Sequence, residues 1–423
     1  MYRRLFFSVS MILSLSLFSQ NPVAENGQLQ VIGHQLCNEQ GKPYQLKGMS
    51  MFGLMHYPQC ITKKGFAVLR DDWKSNVVRA TIFVADYSNS DNYNQNPKFN
   101  KDLIDSIVNW SEKLGLYCII DWHVLNPGDP NGPEYKGADA FFEEMSTKYK
   151  GKKNIIYEIC NEPNGQKITW DSIAKYSNRI MPIIRKNDPK AIILIGTPDW
   201  CKQPDLVDTS KLKDNKNVMF TFHFYAASHQ AWYSMFVNQI HRIPIFVSEW
   251  GTPSYNGNGT IDTVSSNLYL KTMNQHVKNK DTVSISWCNF SYADKNETAS
   301  ALKPGSCYSG LWNNTTQSGE YIKYWIIKGE APIVPVTLVS EIDSKKGIEF
   351  SVSPNPATGN MTLCSNIDED VTVHVFNLSG DEVLATITFR KNITVAINQL
   401  VRGTYILYFN AKNIRDYRFL IKE

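Results

Sequence analysis

Eight short apolar runs recur between residues 44 and 290, and their spacing constrains the fold more than any other feature of this chain. They read YQLKGMS, VVRAT, YCIIDWH, NIIYEICNEP, AIILIGT, VMFTFHFY, IPIFVSEWG and VSISWCNF. Each is continuously apolar rather than alternating, as expected of strands buried on both faces, and parallel sheets are buried in that way. The intervening segments have helical period. In 101–114, Leu103, Ile104, Ile107, Val108 and Leu114 share one face, and Gly115 stands where a helix would end. The segment around Ile173, Tyr176, Ile180, Ile183 and Ile184 repeats the pattern. Eight β/α units over this length predict an α/β fold, a (β/α)8 barrel.

After GEAPIVPVTLVS the pattern changes. Alternating runs such as VTVHVFNLSG, TITFR and GTYILYF are divided by turn residues including Pro354-Asn355-Pro356 and Ser379-Gly380-Asp381, which predicts a small all-β sandwich. At the other end, Arg3 and Arg4 precede an apolar stretch from Leu5 to Phe18 and then small and polar residues. That order is a secretory leader, and its apolar part is too short to span a bilayer comfortably. The chain therefore divides into a leader at 1–24, a barrel at 25–328, a linker at 329–346 and the β domain at 347–423.

Charge and cysteine usage narrow the function. The formal charge is +4, half of it from Arg3 and Arg4, and the remaining Lys and Arg are scattered. Binding to nucleic acid or to an anionic membrane is therefore not expected, and the shortness of the apolar stretch argues against stable membrane insertion. Export permits disulfides, yet the eight cysteines lack the paired spacing of a disulfide scaffold. Cys118, Cys160 and Cys288 sit in or beside apolar runs, where a thiol behaves as a small hydrophobe; a Cys37–Cys60 bridge is left open. No CxxC or Cys/His cluster marks a metal site, so no metal or cofactor is expected, and the chain is read as a monomer.

Function in such a barrel sits at the carboxyl ends of the strands. Those ends carry Arg79, His123, Asn161 with Glu162, His223 with Tyr225, Glu249 and Trp287. Each has a plain structural explanation alone: a core histidine, an ion pair, a core tryptophan. Their arrival at one end of consecutive strands argues for a site. Glu162 and Glu249 lie on separate strands, and two carboxylates flanking a glycosidic bond are what its hydrolysis needs, one protonated to donate to the leaving oxygen and one ionised. Arg79, on reaching Glu249, would favour its ionised form, and apolar neighbours would hold the Glu162 proton.

DWHVLNPGDPN, IIYEICNEPNG, MFTFHFYAASHQ, PIFVSEWGT and SISWCNFSYADKNETASALKPG together resemble glycoside hydrolase family 5, in particular its bacterial endoglucanases, over about 30–327. The resemblance implies a retaining endo-β-1,4-glucanase acting on cellulose or related β-glucans, with Glu162 as acid/base and Glu249 as nucleophile. It further implies that Asn161 binds the 2-hydroxyl, that His223 and Tyr225 orient the carboxylates, and that Arg79 and His123 complete their surroundings. Trp287 would stack beneath a sugar ring, Lys295 and Glu297 would bind hydroxyls, and Trp200 and His229 would line the cleft. Phe52, His56 and Phe83 depart from the family pattern, His56 standing where a stacking tryptophan is usual, so the glycone side is expected to differ. Alternatives are a β-mannanase or mixed-linkage β-glucanase of the same family, or a noncatalytic glycan-binding protein.

The final module, through VSPNPATGNMTL, VFNLSG, GTYILYF and RFLIKE, resembles the carboxyl-terminal sorting domain of Bacteroidetes type IX secretion. That implies the type IX machinery as partner and a location outside the cell or on its surface. A carbohydrate-binding module is the competing reading, but all ten tryptophans fall between 73 and 325. Phe376, Tyr405, Tyr408 and Phe409 are expected in the core of the module rather than on a binding platform.

Overall fold

The computed structural model describes residues 21–86, 88, 91–278, 281–329, 350–377, 382–411 and 414–423. Most of the expected leader and the expected linker lie outside these residues. The described end of the leader stretch opens a short helix, Pro22–Asn26, with Pro22 buried and the Val23 amide donating to Gly115 O at 3.0 Å.

All eight apolar runs form strands of one closed parallel barrel. They are β1 (Lys47–Ser50), β2 (Val77–Phe83), β3 (Tyr117–His123), β4 (Ile155–Glu158), β5 (Ile192–Ile195), β6 (Val218–Tyr225), β7 (Ile245–Gly251) and β8 (Ser286–Phe290). Closure pairs β8 with both β7 and β1. Between the first strands run α1 (Lys63–Asp71), α2 (Pro97–Leu114), α3 (Ala138–Lys148) and α4 (Trp170–Asn187). Helix α1 starts where the Thr62 side chain accepts from the Gly65 amide, and α2 ends at Gly115, whose φ of 70° suits a residue without Cβ. In α4, Ile173, Tyr176, Ile180 and Ile184 are buried, as their spacing predicts.

Along each strand alternate side chains face the interior, and β3 shows how this builds a site. Tyr117 and Ile119 join Val77, Ile156, Ile192, Leu194, Met219 and Phe246 in one apolar cluster near the strand starts. A hairpin, Gln30–Ile32 with Gln35–Cys37, brings Leu29 and Leu36 to the same cluster and closes the amino end of the barrel. Two and four residues beyond Ile119... the same face of β3 carries Asp121 and His123. The interior is therefore greasy at the amino end and charged at the other.

One irregularity matters for the site. Thr221 of β6 faces Phe246 of β7, but His223 faces Glu249, so β7 holds one more residue than β6 between these pairings. Such a bulge re-aims side chains. Here it lets the neighbours Ser248 and Glu249 both reach interior partners, Glu158 and Arg79 respectively.

The cysteine expectation needs correction. Cys60 is bonded to Cys307, not to Cys37, which is a buried free thiol. Cys37 lies in the hairpin at the amino end, whereas Cys60 follows β1 at the carboxyl end, so the depth of the barrel separates them. The actual bridge ties the loop after β1 to the segment after β8 across 247 residues. Closing a loop that long is worth about 5 kcal/mol on chain-entropy grounds. Cys118, Cys160 and Cys288 are buried thiols; burial raises all three, Cys118 to about 12.

The carboxyl-terminal unit is two antiparallel sheets. Strands β9 (Phe350–Ser353), β10 (Asn360–Ser365) and β13 (Asn392–Ala396) form one, in the order β9-β10-β13. Strands β11 (Val371–Asn377), β12 (Ile387–Phe389), β14 (Gly403–Ala411) and β15 (Ile414–Lys422) form the other, in the order β12-β11-β14-β15. Phe350, Met361 and Leu363 of the first share a core with Val371, Val373, Val375, Leu407 and Phe409 of the second. Tyr405 and Phe409 lie in that core, while Phe376 and Tyr408 are half-buried beside His374. Among the described residues no helix is long and apolar enough to cross a membrane.

Candidate active site

Arg79 organises the charged end of the barrel. It points inward from β2 with no exposed surface, and its guanidinium meets three carboxylates. Nε and Nη2 grip Glu158 at 2.7 and 3.1 Å, Nη2 also reaches Asp121 at 3.0 Å, and Nη1 donates to Glu249 at 3.0 Å. Nη2 further donates to Asn161 Oδ1 at 2.6 Å, and Nη1 to Ser50 Oγ at 3.2 Å. One fixed cation among three acids is a dense arrangement, and the fork geometry of arginine is what permits it.

The surrounding groups sort the two cleft carboxylates. Glu249, 6% exposed, accepts from Arg79 on one oxygen and from the Tyr225 hydroxyl, at 2.9 Å, on the other. Two donors, one of them cationic, hold it as an acceptor with a fixed orientation. Glu162, 9% exposed, is bonded by no arginine among the described residues; its Oε1 lies 2.8 Å from Nδ1 of His223. Burial pushes Glu162 up to about 8, with Asp121 and Glu158 adding repulsion and Arg79 and Lys202 only partly opposing it. Burial also holds the histidines neutral, His123 down to about 3 and His223 to about 4. Asp121, 2.6 Å from His123 Nδ1, is raised by burial to about 7.

Ligand atoms of Glu162, His223 and Glu249 lie within 4.8 Å of one another, close enough to cage a cation. Each is already engaged by a protein partner, Glu162 with His223 and Glu249 with Arg79 and Tyr225. A second cluster, Cys60, Asp294 and Cys307, has both sulfurs committed to the disulfide.

The pair opens into a cleft of about 570 Å³ lined by Phe52, Phe83, His123, Leu125, Glu162, Trp200, Lys202, His223, Tyr225, His229, Glu249, Tyr255 and Phe290. Aromatic rings along an open groove with a few convergent polar groups suit a sugar chain.

Comparison with known proteins decides the family. Residues 37–296 match the profile described as cellulase (glycosyl hydrolase family 5). The chain belongs to glycosyl hydrolase family 5. It is 41% identical over 302 residues to an endoglucanase of Clostridium saccharobutylicum, covering 70% of this chain and 64% of that one. It is 34% identical over 313 residues to Endoglucanase E-5 of Thermobifida fusca, covering 71% and 64%. The chain thus spans just under two thirds of the length of these curated relatives. Among solved structures, Cellulase Cel5C_n aligns with a TM-score of 0.67 at 39% identity, over 74% of this chain and 95% of that one. The catalytic domain of a Thermobifida fusca endoglucanase in complex with cellotetraose aligns with a TM-score of 0.66 at 33% identity, over 73% and 100%. Residues 351–423 match the secretion system C-terminal sorting domain.

Within this family 5 barrel the structure gathers Arg79, His123, Asn161, Glu162, His223, Tyr225 and Glu249 into one hydrogen-bonded group, with Trp200 and His229 on the cleft wall. Asn161 has no exposed surface and directs its amide nitrogen to Val124 O and His123, placing it behind the carboxylates. The expectation for Trp287 is overturned. It is 0% exposed and packs edge-to-face on Trp250, because strand β8 continues three residues past it. Phe290, at the true end of β8, is the ring on the cleft.

His56 and Lys295 stand against rings that line the cleft, and Glu297 joins them through Lys295. Lys295 pairs with Glu297 at 2.5 Å and sets its ammonium 4.3 Å from the centre of the Phe52 ring. His56 contacts Asp86 at 2.8 Å and stands edge-on to Phe52 and Phe83. Trp200 occupies a tight turn in which Asp199, Trp200 and Cys201 all have left-handed φ, at 56°, 56° and 58°. That conformation costs a non-glycine residue roughly 1 kcal/mol or more each. The Trp200 amide bonded to Pro163 O and the Cys201 thiol donating to Asn161 O tie the turn to the segment after β4 that carries Glu162.

Sequence reasoning missed Asp121, Glu158, Phe290, Tyr255 and Lys202. The two acids carried a readable signal: a carboxylate inside an apolar strand demands a buried partner, and Arg79 was available.

Proposed function

We propose that the protein is an exported, retaining endo-β-1,4-glucanase that cleaves internal bonds of cellulose or related β-glucans. The observation that carries this reading is the approach of Glu162 and Glu249 oxygens to within 4.8 Å. Retaining glycosidases hold their carboxyl groups roughly 5 Å apart, whereas inverting ones need roughly 6.5–9.5 Å to fit a water. The relatives named as endoglucanases and cellulases support the substrate class, and an open groove suits attack within a chain rather than at its end.

In the first step Glu162 gives its proton to the glycosidic oxygen as that bond breaks, and Glu249 forms a bond to the anomeric carbon. In the second, Glu162 takes a proton from water, whose oxygen displaces Glu249 and leaves the product with its original configuration. Tyr225 and Arg79 keep Glu249 aimed during attack. Export through the sorting domain of residues 351–423 completes the proposal, with the secretion machinery as its partner.

Product anomers followed by NMR from the first seconds of cello-oligosaccharide hydrolysis are expected to be β. Early α product removes the retaining assignment. Because Glu162 must be protonated for the first step and is raised to about 8, activity is expected to fall as pH rises through that value, and to fall again in acid, where Glu249 can no longer attack as a carboxylate. A profile flat to well above pH 8 would remove Glu162 as the acid. A hydrolysis screen over cellulose, mixed-linkage glucan and mannan fixes the preferred glycan.

A further inference from the structure

The hydrogen bonds of His223 run past Glu162 to a residue with no direct access to substrate. Ser248 has no exposed surface. Its Oγ lies 2.8 Å from His223 Nε2 and donates to Glu158 Oε1 at 2.7 Å. A hydroxyl has one proton to give. Glu158 accepts from Arg79 on both oxygens, so it is an acceptor for Ser248 and not a donor to it. The serine oxygen can then only accept from His223, which places the imidazole hydrogen on Nε2.

His223 is neutral, and a neutral imidazole carries one hydrogen. Around it Glu249 and Glu158 favour protonation, while Arg79, His123 and above all burial oppose it. Tyr225 lies two residues along its own strand, and Lys202 acts on Glu162. With Nε2 protonated, Nδ1 is a bare lone pair 2.8 Å from Glu162 Oε1. A hydrogen bond at that distance needs a proton, and only Glu162 can supply it.

We propose that Ser248 is a positioning residue: by committing its proton to Glu158 it fixes the Nε2–H tautomer of His223, and the bare Nδ1 then stabilises the protonated form of Glu162. This rests on the reading of Glu162 as the acid/base. The same tautomer serves both halves of the reaction. Once Glu162 has given its proton to the leaving oxygen, its carboxylate faces a lone pair rather than a donor, so it regains a proton from water more readily. The β7 bulge makes the device available, since it admits Ser248 and Glu249 together to the interior.

Ser248→Ala frees His223 to place its hydrogen on Nδ1 and donate to the Glu162 carboxylate. The basic limb of kcat/KM against pH is then expected to move down by about one unit. Ser248→Thr, which keeps a hydroxyl, is expected to return the limb toward the parent position. A uniform loss of rate with the limb unmoved in Ser248→Ala overturns the proposal. Nitrogen NMR of the full-length parent, with the His223 signal assigned by its loss in His223→Gln, provides a test that needs no folded Ser248 variant. A protonated Nε2 supports the proposal, and a protonated Nδ1 overturns it. Glu162→Gln separates this from the functional reading. Undiminished cleavage of β-glucan by that variant sinks the acid assignment itself, whereas an inactive Glu162→Gln beside an unmoved limb in Ser248→Ala sinks only the role of Ser248.

Discussion

Glu249→Ala is expected to lower kcat on soluble β-glucan by at least about 10⁴-fold, because the proposed mechanism relies on Glu249 to bond the anomeric carbon. The fold is expected to survive. Arg79 keeps Glu158 and Asp121 when Glu249 is lost, so no buried cation is stranded. The Tyr225 hydroxyl loses its acceptor at the edge of an open cleft, where water can replace it. Initial rates of reducing-end release, with a thermal melt on the same preparation, check both halves. A rate within tenfold of the parent would eliminate Glu249 as nucleophile.

Arg79→Met is expected to act on stability as strongly as on rate. It leaves Asp121, Glu158 and Glu249 without their shared cation, and breaking a buried pair by removing one partner costs about 3–5 kcal/mol. The sign of the pH effect follows from proton counting. Without Arg79 the buried acids hold protons that the unfolded chain has released at neutral pH, so the folded variant binds more protons than the unfolded one. Its stability therefore falls as pH rises and recovers toward mildly acidic pH. Urea unfolding of parent and variant at several pH values measures this. A loss of under about 1 kcal/mol at neutral pH would show that the three carboxylates do not depend on the guanidinium.

What could be read from the sequence followed from periodicity. Unbroken apolar runs such as IIYEI located the strands, helical spacing located their connectors, and together they identified the barrel rim that carries Glu162 and Glu249. Side-chain depth was harder to read. Trp287 and Phe290 lie three residues apart in VSISWCNF, and which of them reaches the cleft depends on where β8 ends relative to β1 and β7. Asp121 and Glu158 were hidden because each sits among apolar neighbours that dominate the pattern of its strand. The Cys60–Cys307 bridge depends on the first and last strands being neighbours, a property of closure that local spacing does not carry.

That closure also sets a schedule. Lys47 pairs with Trp287, so the seam of the barrel joins segments made far apart in time, and the bridge that crosses it joins residues 60 and 307. Contacts of such sequence separation must overcome loop-closure entropy before they contribute, which makes them slow. Strands β2 to β7 can pair with neighbours in order as they emerge, but β1 must keep one edge unsatisfied until β8 arrives. On the proposed export route, this late seam divides an open, seven-neighbour sheet from a closed barrel, and the oxidant that joins Cys60 to Cys307 is best met after that moment.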